Sequence, residues 1–189
     1  MKAVVACFEP FGGRRRNRSE RAARRLSELA DVLVATLPVS FARLPAALEA
    51  LLARQPEVLL LCGESRRARQ LLVERVAVNI ADSRVADNDG VLAHGARLDH
   101  RGPLAREVRF DASRVVHALR EGGLSAAVSS HAGTFCCNAA LYGALAHPGP
   151  LVAFIHVPAK RRHLRAGQAA RGLGIALEVL GDLRRCQLA

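Results

Sequence analysis

Three side chains with nucleophilic or acid–base chemistry lie at the ends of apolar segments or inside them. Cys137 stands between a strand-like run and a helical one, and His156 directly follows the apolar stretch 151–155. Glu74 interrupts a third apolar stretch. A thiol nucleophile, an imidazole base and a carboxylate that orients the imidazole form the set used in covalent acyl transfer. Cys137, His156 and Glu74 are therefore candidate catalytic residues.

Each of these residues also has an ordinary structural interpretation. At a helix N-terminus Cys137 would be favoured as thiolate, and the free N–H groups there could receive an oxyanion, but most free cysteines are small buried hydrophobes. His156 could be a core histidine, and Glu74 could belong to a structural ion pair, since a buried acid needs a partner. His131 lies nearer to Cys137 in sequence and is a rival base, although no strand would hold it.

A second segment of interest is FEPFGG at residues 8–13, which follows the first apolar run. Paired glycines permit close backbone approach and unusual dihedral angles. The segment lacks the lysine and the glycine spacing of a phosphate-binding loop. Phe8 and Phe11 could form an apolar slot for a small ring, and the alternative is a loop packed into the core.

The elements that must position these residues alternate along the chain. Apolar runs and helical spacing predict strands and helices in turn. Strands are predicted at 3–7, 31–39, 57–62, 71–80, 125–130 and 151–157, and helices at 17–30, 44–54, 112–120, 136–147 and 164–180. The first helix would be capped by Asn17 or Ser19. The polar stretch 82–103 is predicted as an extended excursion that carries a hairpin.

This alternation predicts an α/β fold with a mostly parallel central sheet, in one domain spanning 1–189. In such sheets reactive groups collect at the carboxyl ends of the strands. The sequence contains no internal repeat and no linker that would divide it. We therefore expect Cys137 and His156 to meet at one edge of the sheet.

Composition limits the other classes of function. The chain has 189 residues and a net charge of +11, with 26 arginines and 2 lysines. Such a charge permits nucleic-acid binding, but 6 Phe, 1 Tyr and no Trp leave little for base stacking, so we consider nucleic acid an unfavoured partner. Five cysteines without a CxxC pair offer no zinc spacing, so no metal is expected. No apolar run is long enough to span a membrane, and the N-terminus does not read as a signal peptide, so we expect a cytoplasmic protein.

Five motifs, taken together and in this order, resemble one family. They are FEPFGG with Asn17 after it, Gly63, Glu74 within ERVAVN followed by DSRVADN, AGTFCCN at 132–138, and FIHVP at 154–158. Each motif is weak alone. Their combination resembles the pyroglutamyl peptidases of type I, also called pyrrolidone-carboxylate peptidases, which are cytosolic cysteine peptidases that remove an N-terminal pyroglutamate.

The resemblance implies a role for each matching position. It implies Cys137 as nucleophile, His156 as base and Glu74 as the orienting acid, in a three-layer α/β/α fold that needs no metal or cofactor. The remaining matches are implied substrate-binding positions: Phe8, Phe11, Asn17 and Phe135 as ring contacts, Glu64 at the pocket, and Arg84 near the oxyanion. The resemblance also implies peptides with N-terminal pyroglutamate as substrates and a homo-oligomer, dimer or tetramer.

The chain departs from the family pattern after Gly63. Where the family usually has Gln-Ala-Gly-Gly-Arg, this chain has Glu64-Ser65-Arg66-Arg67-Ala68. A carboxylate near a neutral lactam motivates an alternative function, a cysteine hydrolase of the same fold with altered acyl specificity or lost activity. Under that alternative, Glu64→Gln should raise pyroglutamyl activity. An arginine-rich nucleic-acid-binding protein is the less favoured alternative.

Overall fold

The computed structural model of the chain describes residues 2–188. Its strands are β1 (Ala3–Phe8), β2 (Leu33–Leu37), β3 (Val58–Ser65), β4 (Leu71–Glu74), β5 (Val76–Val78), β6 (Ala105–Glu107), β7 (Ala126–Ser129) and β8 (Leu151–Pro158). Its helices are α1 (Arg18–Ser27), α2 (Leu44–Leu52), α3 (Ala112–Glu121), α4 (Cys136–Ala144) and α5 (Ala166–Leu188). The predicted alternation of strands and helices is confirmed.

Six strands form one mixed sheet in the order β2-β1-β3-β8-β4-β7. β2, β1, β3 and β8 are mutually parallel, and β4 runs antiparallel to β8 while pairing in parallel with β7. The long apolar strands β3 and β8 lie at the centre, where both faces are covered. The carboxyl ends of the first four strands therefore meet at one edge, here called the carboxyl edge.

Helices cover both faces of this sheet and make the fold a three-layer α/β/α structure. On one face α1, α3 and α5 pack around a core that includes Val5, Leu60 and Ile155. On the other face α2 and α4 pack around a core that includes Leu59 and Phe154. Successive residues of a strand alternate between these two cores, so neighbours in sequence serve opposite faces.

The predicted strand 71–80 is wrong as one continuous element. It breaks at the exposed Arg75, and β4 joins the main sheet while β5 pairs with β6 in a separate antiparallel ribbon. The excursion after it folds back on itself, because the Ala81 N–H donates to the Ala96 carbonyl at 2.7 Å and the Ser83 N–H to the Ala93 carbonyl at 2.9 Å. This is the hairpin-like return that the polar stretch predicted.

The last helix is longer than predicted and runs to Leu188 rather than to residue 180. Close packing explains one of its glycines, because a Cβ at Gly172 would lie 2.6 Å from Leu71 Cδ1. Among the residues that the structure describes, no helix is both long and apolar enough to cross a membrane.

Candidate active site

Cys137 lies directly above Gly63 of the central strand β3. A Cβ built at Gly63 would stand 2.8 Å from Cys137 Sγ and 2.8 Å from Phe154 Cζ, which is closer than side chains approach one another. Gly63 is in register with His156 on the adjacent strand β8. Because Gly63 has no side chain, the thiol can contact the sheet at this point, next to the strand that carries the candidate base.

The turn before α4 presents uncapped backbone N–H groups around the thiol. Phe135 is the N-cap residue and its side chain offers no capping hydrogen bond, so the N–H groups of the first helical turn, at 136–138, have no partner within the helix. Gly133, with φ of 85°, permits the preceding reversal of the chain. These N–H groups are suited to hold a developing oxyanion.

Asn138 fixes this helix terminus against the segment that follows Glu74. Its side-chain oxygen accepts the Val78 N–H at 2.8 Å, and its amide nitrogen donates to the carbonyls of Val78 at 2.9 Å and Ile80 at 3.1 Å. All three contacts are made by a fully buried amide. Sequence reasoning missed this role, although a buried polar residue beside a candidate nucleophile is a usable signal.

His156 and Glu74 form a buried hydrogen-bonded pair. His156 Nδ1 lies 2.7 Å from Glu74 Oε1, and the two residues are 7% and 1% exposed. A carboxylate can only accept, so Nδ1–H donates and the Nε2 lone pair is left free to take a proton. Glu74 Oε2 is buried without a hydrogen-bond partner among the described residues, so the carboxylate is committed to the imidazole alone.

The antiparallel direction of β4 is what brings this pair together. Leu72 is opposite His156 and Glu74 is opposite Phe154, so the carboxylate reaches the imidazole diagonally across two strands. Glu74 thus sits deeper in the sheet than the rule of carboxyl strand ends predicts. That rule holds for Gly63 and His156, which lie near the ends of β3 and β8.

The surroundings of Cys137 favour the neutral thiol. Desolvation is the largest cause that raises the pKa of the Cys137 thiol above its ordinary value, and the nearby Glu74 carboxylate acts in the same direction. Both effects oppose the preference for thiolate that a helix N-terminus gives. Cys137 and His156 are not hydrogen-bonded in this structure, in which both side chains are described.

Two further residues near the nucleophile, His131 and Cys136, are placed differently. The side chain of His131 is exposed and makes no hydrogen bond or ion pair within residues 2–188, so it is not positioned as a base. Cys136 points into the core of the α2–α4 face, and desolvation raises the pKa of its thiol to about 12. Packing is therefore its role.

Three phenylalanines form a wall beside the thiol. The Phe135 ring lies 5.9 Å from the Phe11 ring and 5.5 Å from the Phe41 ring, the latter edge-on. Phe11 and Phe135 were expected here. Phe41 was missed, although it follows β2 as Phe11 follows β1, and these parallel strands end at the same edge. Phe8 was also expected in the slot, and the structure places it 2% exposed behind the wall, where it packs against Phe154.

Asn17 also differs from its expected role as a ring contact. Its side-chain oxygen accepts the Ser19 N–H at 3.0 Å, and its amide nitrogen donates to the Glu9 carbonyl at 3.1 Å. It is the N-cap of α1, which confirms one of the two predicted caps. Because both ends of the buried amide are engaged, Asn17 ties the FEPFGG loop to α1 rather than facing a ligand.

The side chain of Glu64 is also engaged within the protein. Strand alternation turns its side chain to the face opposite Gly63, where the carboxylate pairs with Arg14 and accepts the Arg18 N–H at 2.9 Å. Arg18 is the first residue of α1, so the negative charge also lies at a helix N-terminus, where it is favourable. The carboxylate is therefore engaged by Arg14 and by the start of α1, on the face of β3 opposite Gly63.

Arg84 is exposed and forms no ion pair within the described chain, although it is anchored near the nucleophile through its neighbours. The Asp82 N–H donates to the Thr134 carbonyl at 2.9 Å, and Thr134 Oγ1 donates to the Asp82 carbonyl at 2.8 Å. Arg84 is therefore two positions along the chain from Asp82, which is bonded to the turn that leads into α4. Its place near an oxyanion remains a prediction.

Acidic side chains join the excursion to the loops behind the phenylalanine wall. Asp87 accepts the Phe41 N–H at 2.9 Å, and Glu9 accepts from the Val39 N–H at 2.9 Å and from Asn88 at 2.8 Å. Arg43 pairs with Asp89 at 2.9 Å. This network accounts for the polar residues of FEPFGG and DSRVADN as supports of the site.

The comparisons with known proteins match this architecture. The family model described as pyroglutamyl peptidase matches residues 1–169. The chain belongs to the pyroglutamyl peptidase family. It is 34% identical to the pyrrolidone-carboxylate peptidase of Thermococcus kodakarensis over 98% of both chains. It is 40% identical to that of Chromobacterium violaceum, over 84% of this chain and 78% of the relative.

Solved structures agree with this family assignment. The pyrrolidone carboxyl peptidase from Thermus thermophilus superposes with a TM-score of 0.88 at 31% identity, covering 93% of this chain and 98% of that one. The pyroglutamyl peptidase I from Bacillus amyloliquefaciens gives a TM-score of 0.89 at 29% identity, covering 94% and 93%. The mixed sheet described above is therefore the fold of the family.

Proposed function

We propose that this member of the pyroglutamyl peptidase family removes N-terminal pyroglutamate from peptides through a Cys137–His156–Glu74 triad and a thioester intermediate. The observation that carries the proposal is the buried 2.7 Å contact between His156 Nδ1 and Glu74 Oε1, on the strand beside Gly63 and Cys137. That contact leaves Nε2 as an acceptor.

The first half of the reaction forms the acyl-enzyme. His156 Nε2 takes the proton of Cys137 as sulfur attacks the pyroglutamyl carbonyl carbon, so no free thiolate has to exist beforehand. The carbonyl oxygen becomes negative and is held by the N–H groups at the start of α4, with Arg84 as a nearby cation. Glu74 stabilises the imidazolium, which then gives its proton to the departing amine as the C–N bond breaks.

The second half releases the product. Water gives a proton to His156 Nε2 and attacks the thioester carbonyl, and the C–S bond breaks. Sulfur regains the proton from the imidazolium, and free 5-oxoproline leaves.

Selectivity for the lactam is assigned to the phenylalanine wall. Phe11, Phe41 and Phe135 offer an apolar slot for the five-membered ring. An ordinary N-terminus carries a charged ammonium group, which would lose its hydration against these rings without gaining a counter-charge. The engagement of Glu64 by Arg14 supports plain pyroglutamate over an altered acyl group.

The test is release of a fluorescent amine from a pyroglutamyl amide, in reducing buffer, by the wild type, Cys137→Ala and Cys136→Ala. The neighbouring cysteine is the matched control, because both variants lose one thiol at the start of the same helix. We expect activity to vanish in Cys137→Ala and to persist in Cys136→Ala. Inactivity of a folded wild type, or activity of folded Cys137→Ala, would overturn the proposal.

A further inference from the structure

The order of strands gives the bound peptide a direction across the carboxyl edge. The wall residues Phe41 and Phe11 follow β2 and β1, the thiol lies over β3, and His156 lies on β8. The ring therefore lies towards β1 and β2, and the amine that His156 protonates lies towards β8. Residues after the cleaved bond continue from β8 towards β4.

Two basic loops stand where that downstream segment must pass. The chain goes from β3 to β4 over the end of β8, which lies between them, and after β8 it enters a second loop. Here these are called the exit loops, residues 66–69 and 160–165. Their cationic side chains are Arg66, Arg67, Arg69, Lys160, Arg161, Arg162 and Arg165.

The exit loops lie against each other. The pKa of His163 is lowered first by desolvation and then by Arg162, Arg69 and Lys160, so cations of both loops lie within electrostatic range of one imidazole. The Ala159 N–H donates to the Ser65 carbonyl at 2.9 Å at the point where both loops begin. The second loop also lines an open cavity of about 510 Å³.

No carboxylate neutralises these cations. All seven side chains are exposed, and none forms an ion pair within the part of the chain that the structure describes. Elsewhere arginines are used internally, as when Arg106 pairs with Asp99 at 3.2 Å or Arg120 donates to the Ala126 carbonyl at 2.9 Å. Charge concentrated without a counter-charge beside a cleft attracts ligands of the opposite sign.

The second exit loop is held in place from below by Arg18. Arg18 Nε donates to the Pro158 carbonyl at 2.9 Å, and a terminal nitrogen of the same guanidinium donates to the Leu164 carbonyl. Both ends of the loop are thereby tied to α1. A charged surface that is already ordered loses less entropy when it binds a ligand.

We propose that the exit loops bind acidic side chains downstream of the cleaved bond, so that the preferred substrates are pyroglutamyl peptides with Asp or Glu at the following positions. The inference rests on the proposed function. Arg66 is three residues from Gly63, within about 10 Å of extended chain. An extended peptide advances about 3.3 Å per residue, so the second to fourth downstream residues span this distance.

Acidic peptide is favoured over nucleic acid as the partner. The exit loops contain no Phe, Tyr or Trp on which bases could stack. They also lie beyond the scissile bond, on the side of the departing amine. The downstream part of a peptide substrate must be present there during the reaction. Nucleic acid remains an outcome that the experiment distinguishes.

The experiment compares kcat/KM for two peptides of equal length, one with pyroglutamate followed by three Glu and one with pyroglutamate followed by three Gln. We expect the acidic peptide to be favoured about tenfold at low ionic strength and the preference to fall towards unity at about 0.5 M salt. Most of the difference should lie in KM, because the loops do not touch the reacting atoms.

Two double variants, each of which removes two positive charges, test whether the preference for the acidic peptide comes from the exit loops. Arg66→Gln with Arg67→Gln should reduce the preference to about twofold, as expected for the loss of two exposed charge contacts. Lys2→Gln with Arg54→Gln is the matched control, since both cations are exposed and lie before β1 and β3, at the opposite edge of the sheet. The control should keep the wild-type preference.

The possible outcomes separate this inference from the proposed function. Equal kcat/KM for both peptides, with the pyroglutamyl amide still cleaved, would overturn the inference and leave the function intact. No cleavage of any pyroglutamyl compound would overturn both. Equal cleavage combined with salt-sensitive binding of a labelled oligonucleotide, lost in the exit-loop variant, would assign the loops to nucleic acid instead.

Discussion

The two faces of the sheet at the carboxyl edge each hold a buried glutamate, in opposite chemical situations. Glu74 and Glu64 flank β8 on its two sides, and their partners Phe154 and Val157 in register point to opposite cores. Glu64 gives one oxygen to a guanidinium and the other to a backbone N–H. Glu74 gives one oxygen to an imidazole, and its other oxygen has no hydrogen-bond partner among residues 2–188.

This difference separates a structural carboxylate from one that can serve a reaction. A guanidinium is always charged, so Glu64 is neutralised throughout and its contacts hold α1 and the FEPFGG loop. An imidazole can be neutral or charged, so Glu74 gains its full counter-charge only when His156 takes a proton. Glu74, whose second oxygen has no hydrogen-bond partner among the described residues, is therefore the candidate for catalysis.

The largest effect is expected for Glu74→Gln. An amide can donate to Nδ1 and leave the proton on Nε2, which then cannot accept one from Cys137, so kcat should fall about 10²- to 10⁴-fold. KM should change little. The measurement is steady-state cleavage of a pyroglutamyl amide, with urea unfolding to verify that the variant is folded.

The control for this prediction is Glu64→Gln, which alters a buried carboxylate on the other face. Its kcat should stay within about threefold of the wild type. Similar losses of kcat in the two folded variants would contradict a catalytic role for Glu74 and a structural role for Glu64.

The second prediction concerns the wall on the catalytic face. Phe41→Ala removes the edge-on partner of Phe135 and should lower kcat/KM for the pyroglutamyl amide about tenfold, because the ring loses an apolar contact surface. The matched control is Phe110→Ala, a partly buried phenylalanine that packs against both cores. Equal loss of activity in both variants would show that Phe41 acts only through stability.

A smaller effect is expected when the ion pair between Glu64 and Arg14 is removed. Glu64→Gln leaves Arg14 without its buried partner and should lower the free energy of unfolding by about 1–2 kcal/mol, since Arg14 is 32% exposed and partly hydrated. Arg14→Gln combined with Glu64→Gln should recover part of this loss. Urea unfolding of the two single variants and the double variant measures the coupling.

The alternative with altered acyl specificity predicts a different result for the same variant. If Glu64 faced the substrate, Glu64→Gln would raise pyroglutamyl activity. Such a rise, measured with the pyroglutamyl amide, would restore that alternative.

The smallest effect belongs to a third carboxylate, at the surface. The hydrogen bond from Arg43, followed by that from Ser40, lowers the pKa of Asp89 below its ordinary value of 3.8. Because the folded pKa is the lower one, the stabilisation is present above about pH 4 and is lost as pH falls through the folded pKa. Asp89→Asn should therefore narrow the difference between urea midpoints at pH 7 and pH 3, and an unchanged difference would contradict it.

The candidate site could be predicted from sequence only where local pattern decides position. Continuous apolar runs predict β3 and β8, and the turn before α4 predicts a cysteine at a helix N-terminus; the structure confirms these elements. Side-chain direction near the strand ends could not be predicted. Glu64 turns away from the thiol, while Phe8 and Asn17 are occupied by packing and capping.

The sequence by itself determined the family, the alternation of strands and helices, and the three residue types that could carry acyl transfer, because these depend on composition and short spacing. The tertiary structure alone decided the antiparallel direction of β4, which brings Glu74 diagonally to His156. It also decided which carboxylate is neutralised and which cations are left without a partner. These outcomes depend on contacts between residues far apart in the chain, such as Arg14 with Glu64, and no local pattern contains them.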